Sequence, residues 1–230
     1  MSPSFLRGFA ACVVLSVFVA PCVAEDEDFS RLDESRWSIR YPGPGAATQL
    51  LQKEFVLLNR PYLLSKQEWP GGEISFQWKP SVLVKGDDDR TYGDHIAVLF
   101  FSDGSIREVR SYEPLTGIVV RIDSVTGDCY IQQAINGPEL FENLIHFKGV
   151  EPIDPEAWHT VKVTCGGKTV AVDLDGKPVA KAELPANARK GKMWGLYNRE
   201  AVGPGQRMSL IRSLSWTTKG SKAELLNIDP

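Results

Sequence analysis

The stretch 157–182 constrains the fold of this chain more than any other part of the sequence. Apolar residues alternate with polar or small ones in two segments, 161–165 and 170–174, and a third segment, 177–182, follows them. Strict alternation gives a β-strand one buried face and one solvated face. Gly166-Gly167 and Asp175-Gly176 separate the segments, and both pairs tolerate the positive φ angles of tight hairpins. The stretch therefore predicts a three-stranded antiparallel meander.

Short strand-like segments recur along the rest of the chain, with turn residues between them. The clearest are 73–79, 95–101, 117–123, 128–135, 191–198 and 208–217. The segment 95–101 is almost wholly apolar, which predicts a central strand covered on both faces. Such spacing is typical of an all-β sandwich of two packed antiparallel sheets. We expect one such domain over residues 25–230, with short N- and C-terminal extensions.

The first 24 residues have the pattern of a secretory signal peptide. Arg7 precedes an apolar run that ends at Ala20, and this run is shorter than the about 20 residues needed to span a bilayer. Small residues around Ala24 suit cleavage after it, which predicts a secreted or periplasmic protein. An uncleaved anchor and a lipoprotein acylated at Cys22 are the alternatives.

Charge and composition limit the classes of partner. The formal net charge is −3, and this weak acidity argues against nucleic acid and, after signal cleavage, against a membrane surface, since both favour clustered basic residues. The sequence has no zinc-binding spacing and no phosphate-binding glycine loop, so we expect no cofactor. Calcium is the alternative, because four aspartates lie close together. They are Asp87, Asp88, Asp89 and Asp94.

Two cysteines, Cys129 and Cys165, lie outside the predicted signal peptide. An exported chain favours a disulfide between them. Each cysteine also shares a strand face with apolar residues, which is equally typical of two buried free thiols. Both readings stay open from the sequence.

Several segments carry a resemblance to a known family. Residues 157–163 followed by 170–176 match a Trp-led hairpin pair, 72–78 match an early core strand, and 193–196 with 210–216 match a closing pair. In these segments the chain resembles the concanavalin A-like lectin/glucanase jelly rolls. Within them it is most similar to exported bacterial 3-keto-disaccharide hydrolase-like domains. The resemblance implies a two-sheet antiparallel jelly-roll sandwich and a carbohydrate partner.

Candidate site residues follow from the chemistry of sugar binding and cleavage. A glycosidase places two carboxyl groups across the scissile bond, and the candidate acids in strands are Glu73, Glu108 and Asp123. Sugar hydroxyls need both donors and acceptors, and the polar strand residues that suit them are Arg110, Arg121, Tyr130 and Gln132. Trp194 offers a ring for stacking on a sugar. The alternative for the charged residues is ordinary cross-strand pairing, and for Trp194 it is packing in the core.

Three functions are consistent with these residues. The first is an exported carbohydrate-binding jelly roll that recognises a glycan on one sheet face. The second is a glycoside hydrolase of the 3-keto-disaccharide hydrolase-like type, and the third is a non-catalytic structural or adhesion domain. A fold of this kind hosts all three, so the choice depends on which side chains line the sheet.

Overall fold

The computed structural model describes residues 24–42, 45–106, 113–135, 140–149, 151–188, 191–200 and 208–218. Residues 1–23 of the predicted signal peptide, residues 219–230 at the C-terminal end, and the candidates Glu108 and Arg110 lie outside these residues. The described residues contain no helix, and hence none long and apolar enough to cross a membrane.

The described residues form seventeen strands. The first eight are β1 (Ala24–Glu27), β2 (Trp37–Arg40), β3 (Ala47–Leu51), β4 (Glu54–Leu58), β5 (Tyr62–Ser65), β6 (Gly72–Lys79), β7 (Val84–Lys85) and β8 (Thr91–Tyr92). The remaining nine are β9 (Asp94–Ser102), β10 (Ile118–Asp123), β11 (Cys129–Ala134), β12 (Phe141–Phe147), β13 (His159–Gly166), β14 (Thr169–Leu174), β15 (Lys177–Glu183), β16 (Met193–Glu200) and β17 (Met208–Thr218).

Two antiparallel sheets contain nearly all of these strands. In the described part of the chain, the eight-stranded sheet has the order β15-β14-β13-β6-β17-β4-β3, with β1 also paired to β17. The seven-stranded sheet has the order β12-β11-β10-β9-β16-β5-β2, and β7 and β8 form a separate hairpin. The predicted meander is confirmed as β13, β14 and β15, which form one side of the eight-stranded sheet. The prediction of an all-β sandwich of two antiparallel sheets is confirmed as well.

The main core lies between the two sheets. Alternate residues of each strand supply it, as in β6, where Ile74, Phe76 and Trp78 are buried and their neighbours are partly exposed. Four tryptophans lie at its centre, with ring centres of neighbours 5.2–6.3 Å apart. They are Trp37, Trp69, Trp194 and Trp216. Large aromatic side chains of this kind contribute much of the buried apolar area of a sandwich.

A second buried cluster covers the outer face of the seven-stranded sheet, which is the face turned away from the eight-stranded sheet. Its members are Tyr62, Leu64, Ala97, Leu99, Val119 and Tyr197. This cluster explains why β9 is apolar on both faces, since its alternate residues contact two different cores. The prediction of a central strand at 95–101 covered on both sides is therefore confirmed.

Candidate functional site

One row of side chains crosses the outer face of the seven-stranded sheet. Its members lie on six consecutive strands, each in register with the next, and we call them the cross-sheet row. They are Tyr62 (β5), Tyr197 (β16), Ala97 (β9), Arg121 (β10), Tyr130 (β11) and His146 (β12). The row arises from alternation in β10, because Ile118, Val120 and Ile122 enter the main core and Arg121 must then point outward.

The aromatic members of the row stack in two groups. Tyr62 and Tyr197 lie with ring centres 4.4 Å apart and planes 14° apart, and Tyr130 and His146 lie 4.2 Å and 13° apart. The guanidinium carbon of Arg121 lies 4.2 Å from the ring centre of Tyr130. Arg121 and His146 belong to strands on opposite sides of Tyr130, so the tyrosine ring is held between them. Ala97 separates the two groups with a single methyl group.

Glu113 lies against the Tyr62 and Tyr197 end of the row. This residue precedes β10, is only 2 % exposed, and accepts a hydrogen bond of 3.1 Å from the hydroxyl of Tyr197. Burial raises the pKa of Glu113 to about 7, although the Tyr197 hydroxyl and the charges of Arg60 and Arg121 oppose that rise. Burial and the Glu113 charge hold the pKa of Tyr197 well above 10.0. The tyrosine therefore acts as a neutral donor to this carboxyl group.

Asp123 lies on the same face of β10, two residues after Arg121. Its Oδ2 is 3.1 Å from Nε2 of His95, and its Oδ1 accepts backbone hydrogen bonds from Val125 and Thr126. Burial alone raises the pKa of Asp123, but the His95 contact and the two backbone donors outweigh burial and lower it below 3.8. The face thus holds two carboxyl groups whose pKa values are shifted in opposite directions by their surroundings.

The far end of the row is fixed by Asp128. Its Oδ2 lies 2.6 Å from His146 Nε2 and accepts a hydrogen bond from the hydroxyl of Tyr130 at 3.0 Å. Its Oδ1 accepts a hydrogen bond from the backbone N–H of Gly149 at 2.8 Å. Since one carboxylate binds both aromatic residues, the Tyr130 ring has a fixed position beside Arg121.

Three buried polar atoms on this face have no hydrogen-bond partner among the described residues. They are Nδ1 of His95, Nε of Arg121 and Oε1 of Gln132. The side-chain amide of Gln132 uses its Nε2 to donate to Asn143 at 2.6 Å, which leaves its oxygen directed elsewhere. Buried polar atoms are nearly always paired, because an unpaired one costs about 1–3 kcal/mol. Three such atoms lie on the neighbouring strands β9, β10 and β11, which makes this face the candidate site.

Two cavities lie away from the row. One of about 720 Å³ lies over the outer face of the eight-stranded sheet and includes Gln77 and Arg212 in its lining. Another of about 530 Å³ lies beside the β12 and β15 edges of the two sheets. In the first, Nε of Arg212 donates to Gln77 at 2.6 Å and its guanidinium lies 4.0 Å from the Trp158 ring centre. The Nε of Arg212 is thus paired, whereas three buried polar atoms of the seven-stranded sheet are not, and these atoms favour that sheet as the candidate site.

Comparisons with known proteins show which solved structures share this architecture. No family model and no curated protein matches the chain. Among solved structures it is similar to a β-glucanase of Bacillus licheniformis (TM-score 0.59, 12 % identity, 86 % of this chain and 98 % of that chain). It is also similar to the Emp46p carbohydrate recognition domain in its potassium-bound form (0.60, 10 %, 84 % and 95 %). The chain has the concanavalin A-like jelly-roll fold.

A third solved structure is a LamA variant from Zobellia galactanivorans in complex with laminaritriose and laminaritetraose. Its TM-score is 0.58 at 11 % identity, with 87 % of this chain and 100 % of that chain covered. At such identities the likeness establishes the jelly-roll fold alone. The function has to be argued from the side chains of this chain.

The jelly roll brings together four of the residues that the sequence proposed as a site. Arg121, Asp123, Tyr130 and Gln132 all lie on the outer face of the seven-stranded sheet. Their roles in binding or catalysis remain predictions. Their proximity follows from the hairpin of β10 and β11, which sets Arg121 directly opposite Tyr130.

Two of the predicted site residues lie elsewhere in the jelly roll. Trp194 is fully buried in the main core between Trp37 and Trp216, so it offers no ring to a ligand and the prediction is wrong. Glu73 lies on β6 in the other sheet, 3.4 Å from the Lys162 amine. Glu73 and Asp123 therefore belong to different sheets and do not form a pair across one bond.

The two cysteines are buried thiols, one in each sheet of the jelly roll. The structure thus has the two-thiol arrangement rather than the disulfide. The four aspartates considered for calcium do not converge, because Asp94 is fully buried and bonded to Ser81 and Ser209, while Asp88 bonds the Tyr92 hydroxyl. Within the described ranges, no three His, Cys, Asp or Glu side chains are grouped to hold a metal ion.

Sequence reasoning missed Glu113 and His95 as members of the site. Glu113 lies outside any strand, so no alternation pattern marks it, and its burial depends on contacts with Tyr197 from a distant part of the chain. His95 sits at the start of an apolar run, and only the register with Asp123 shows what it contacts. Alternation sets Trp194 on the same face of β16 as Leu196, but Met193 and Tyr197 on the other face are apolar as well, so the sequence does not show which face enters the main core.

Proposed function

We propose that this protein is an exported jelly-roll protein that binds a carbohydrate on the outer face of the seven-stranded sheet. The observation that carries the proposal is the group of unpaired buried atoms on that face, at His95, Arg121 and Gln132. They include a donor at Arg121 and an acceptor at Gln132 on adjacent strands. Sugar hydroxyls act as both donors and acceptors, so a saccharide can satisfy both kinds of atom at once.

The names of similar structures support this class of ligand. They include a carbohydrate recognition domain, a β-glucanase and a protein bound to laminaritriose and laminaritetraose. Export is supported by the signal-peptide pattern of the first 24 residues.

Binding to a glycan array, followed by calorimetric titration of the best ligand, tests this function. We expect Arg121→Ala to weaken binding by about tenfold or more, as is common for a buried arginine in a binding site. Arg212→Ala is the matched control, since Arg212 also lies over an aromatic ring but on the other sheet, and it should change affinity by less than about twofold. Loss of binding in the control alone would place the site at the cavity beside Gln77. Absence of binding to any glycan would contradict the proposal.

A second candidate function is hydrolysis of a glycosidic bond, of the 3-keto-disaccharide hydrolase-like type. The observation that favours it is the opposite shift of two carboxyl groups on one face, with the pKa of Glu113 raised to about 7 and that of Asp123 lowered. His95 influences both groups electrostatically. In this scheme Glu113 donates a proton to the leaving oxygen, and the Asp123 carboxylate serves as base or nucleophile.

Turnover of keto- and unmodified disaccharides by three variants tests the hydrolase. Glu113→Gln and Asp123→Asn should each lower kcat by about 100-fold or more, because each removes an acid–base group. Glu73→Gln, on the opposite sheet, should leave kcat unchanged. Retention of activity in both of the first two variants would eliminate this function without affecting the binding proposal.

A further inference from the structure

Arg121 is the least satisfied charged group that the structure describes on the binding face. It is only 8 % exposed, and among the described residues its guanidinium makes no hydrogen bond or ion pair. Its one direct partner is the ring of Tyr130, at 4.2 Å. A buried cation without a hydrogen-bond acceptor is costly, so a bound acceptor would stabilise this side chain.

The carboxyl groups near Arg121 make their hydrogen bonds and ion pairs with other residues. Asp123 is bound by His95 and two backbone N–H groups, and Asp128 is bound by His146, Tyr130 and a backbone N–H. Glu113 accepts its hydrogen bond from the hydroxyl of Tyr197. These carboxyl groups therefore have partners of their own, and the Arg121 side chain retains its hydrogen-bonding capacity.

The surroundings of Arg121 also fix its position. On one side Asp128 holds the Tyr130 ring, and that ring holds the guanidinium plane. On the other side its in-register neighbour is Ala97, which has no polar atom in its side chain. A guanidinium held in one place presents a fork of donors that matches a carboxylate or a sulfate better than a single hydroxyl.

We propose that the glycan bound on this face is acidic, and that Arg121 pairs with its carboxylate or sulfate group. The ligand class is then a polysaccharide or oligosaccharide with uronic acid units or sulfate esters. Gln132 Oε1 and His95 Nδ1 remain for neighbouring hydroxyl groups of the same chain. This inference rests on the proposed carbohydrate binding and adds the charge of the ligand to it.

The test compares each acidic glycan with its own neutral form. Probes are a polyuronate and its carboxyl-reduced derivative, and a sulfated galactan and its desulfated derivative, titrated into the full exported chain. One acidic probe should bind at least about tenfold more tightly than its neutral form, as expected for a charge-assisted bidentate contact. Whichever pair shows the difference identifies carboxylate or sulfate as the group recognised.

Variants link that preference to Arg121. Arg121→Gln should abolish the preference, Arg121→Lys should retain part of it, and Arg212→Gln on the other sheet should leave it intact. For the unaltered protein, binding of the acidic probe should weaken as salt is raised from 50 to about 500 mM, while any binding of the neutral form should not. This salt measurement holds even if an Arg121 variant fails to fold.

Equal affinity for acidic and neutral forms would overturn the acidic-glycan inference while leaving carbohydrate binding in place. A preference for the acidic form that survives Arg121→Gln would overturn the assignment to Arg121. If no probe and no other glycan binds at all, the proposed function itself fails.

Discussion

At the scale of single residues, Glu113 and Asp123 show how surroundings separate two similar groups. Both lie on the outer face of one sheet, and His95 acts on both. Glu113 is enclosed beside two tyrosines and tends to keep its proton, whereas Asp123 receives two backbone N–H groups and a histidine and tends to lose its proton. The sequence does not show this difference in pKa, because it depends on what the fold places around each carboxyl group.

The raised pKa of Glu113 predicts a specific dependence of stability on pH. With a pKa of about 7 in the folded protein and 4.5 in the unfolded chain, the native state binds an extra proton between these values. The free energy of unfolding therefore falls as pH rises through this window, by at most about 3 kcal/mol. Urea unfolding at pH 4.5, 6 and 8 should show this fall for the unaltered protein and not for Glu113→Gln. Parallel curves for the two proteins would contradict the placement of Glu113.

At the scale of secondary-structure elements, Asp94 connects the two sheets. It is fully buried at the start of β9, and its carboxylate accepts hydrogen bonds from Ser81 and from the hydroxyl of Ser209 in β17. Ser209 in turn accepts from the indole N–H of Trp78 in β6. Because β9 belongs to one sheet and β17 and β6 to the other, this chain of contacts fixes how the sheets face each other.

Replacement of Asp94 should therefore reduce stability. Asp94→Ala removes the acceptor of the buried Ser209 hydroxyl and of the partly buried N–H and hydroxyl of Ser81, which should lower the free energy of unfolding by about 2 kcal/mol or more. Asp88→Ala in the exposed turn before β8 is the control, and we expect a loss below about 1 kcal/mol there. Chemical denaturation of both variants measures the difference. Similar losses in the two variants would show that Asp94 does not connect the sheets.

Glycine is needed at two positions for different reasons, one in a turn and one where two strands approach each other closely. Gly176 has a φ of 74° in the turn of the meander, with open space where a Cβ would lie. Gly195→Ala would place a Cβ against the carbonyl oxygen of Leu63, where β16 pairs with β5 beneath the Tyr62 and Tyr197 stack. We expect a loss of about 1 kcal/mol for Gly176→Ala and at least about 3 kcal/mol for Gly195→Ala, by thermal or urea unfolding. The reverse order would contradict this pairing.

The sequence predicted the elements better than the site, for a physical reason. Alternation and turn residues act locally, so 157–182 reveals its three strands and both hairpins without help from the rest of the chain. The approach of β16 to β9 and β5 is not local, and it decides that Tyr197 faces outward while Trp194 enters the core. Glu113 depends entirely on such distant contacts, which is why no pattern pointed to it.

At the scale of the whole molecule, the two outer faces differ in character. The eight-stranded sheet carries solvated pairs such as Lys162 with Glu73 and Asp173. The seven-stranded sheet carries a buried cluster, a row of stacked rings and several unpaired polar atoms. Exposed ion pairs contribute little to stability, and the unpaired buried atoms are the reason that we propose binding on the second face.

The interior of the molecule predicts how its cysteines react. Burial raises the pKa of Cys129 to about 12, and Cys165 is equally enclosed in the other sheet. In a chain that starts at Glu25, neither thiol should react with Ellman's reagent in the native protein, because a buried thiol is neither ionised nor accessible. Both should react after denaturation without a reductant. Reaction that requires a reductant would instead indicate the disulfide.

The most direct test of carbohydrate binding on the seven-stranded sheet is a titration followed by two-dimensional NMR. The probe is the best-binding glycan from the array, added to isotope-labelled protein while side-chain N–H signals are observed. We predict that the Arg121 Nε–H signal and the backbone signals of Tyr130 and Gln132 shift and saturate together. Shifts confined to Gln77 and Arg212 on the opposite sheet, or no shift at saturating glycan, would contradict the account.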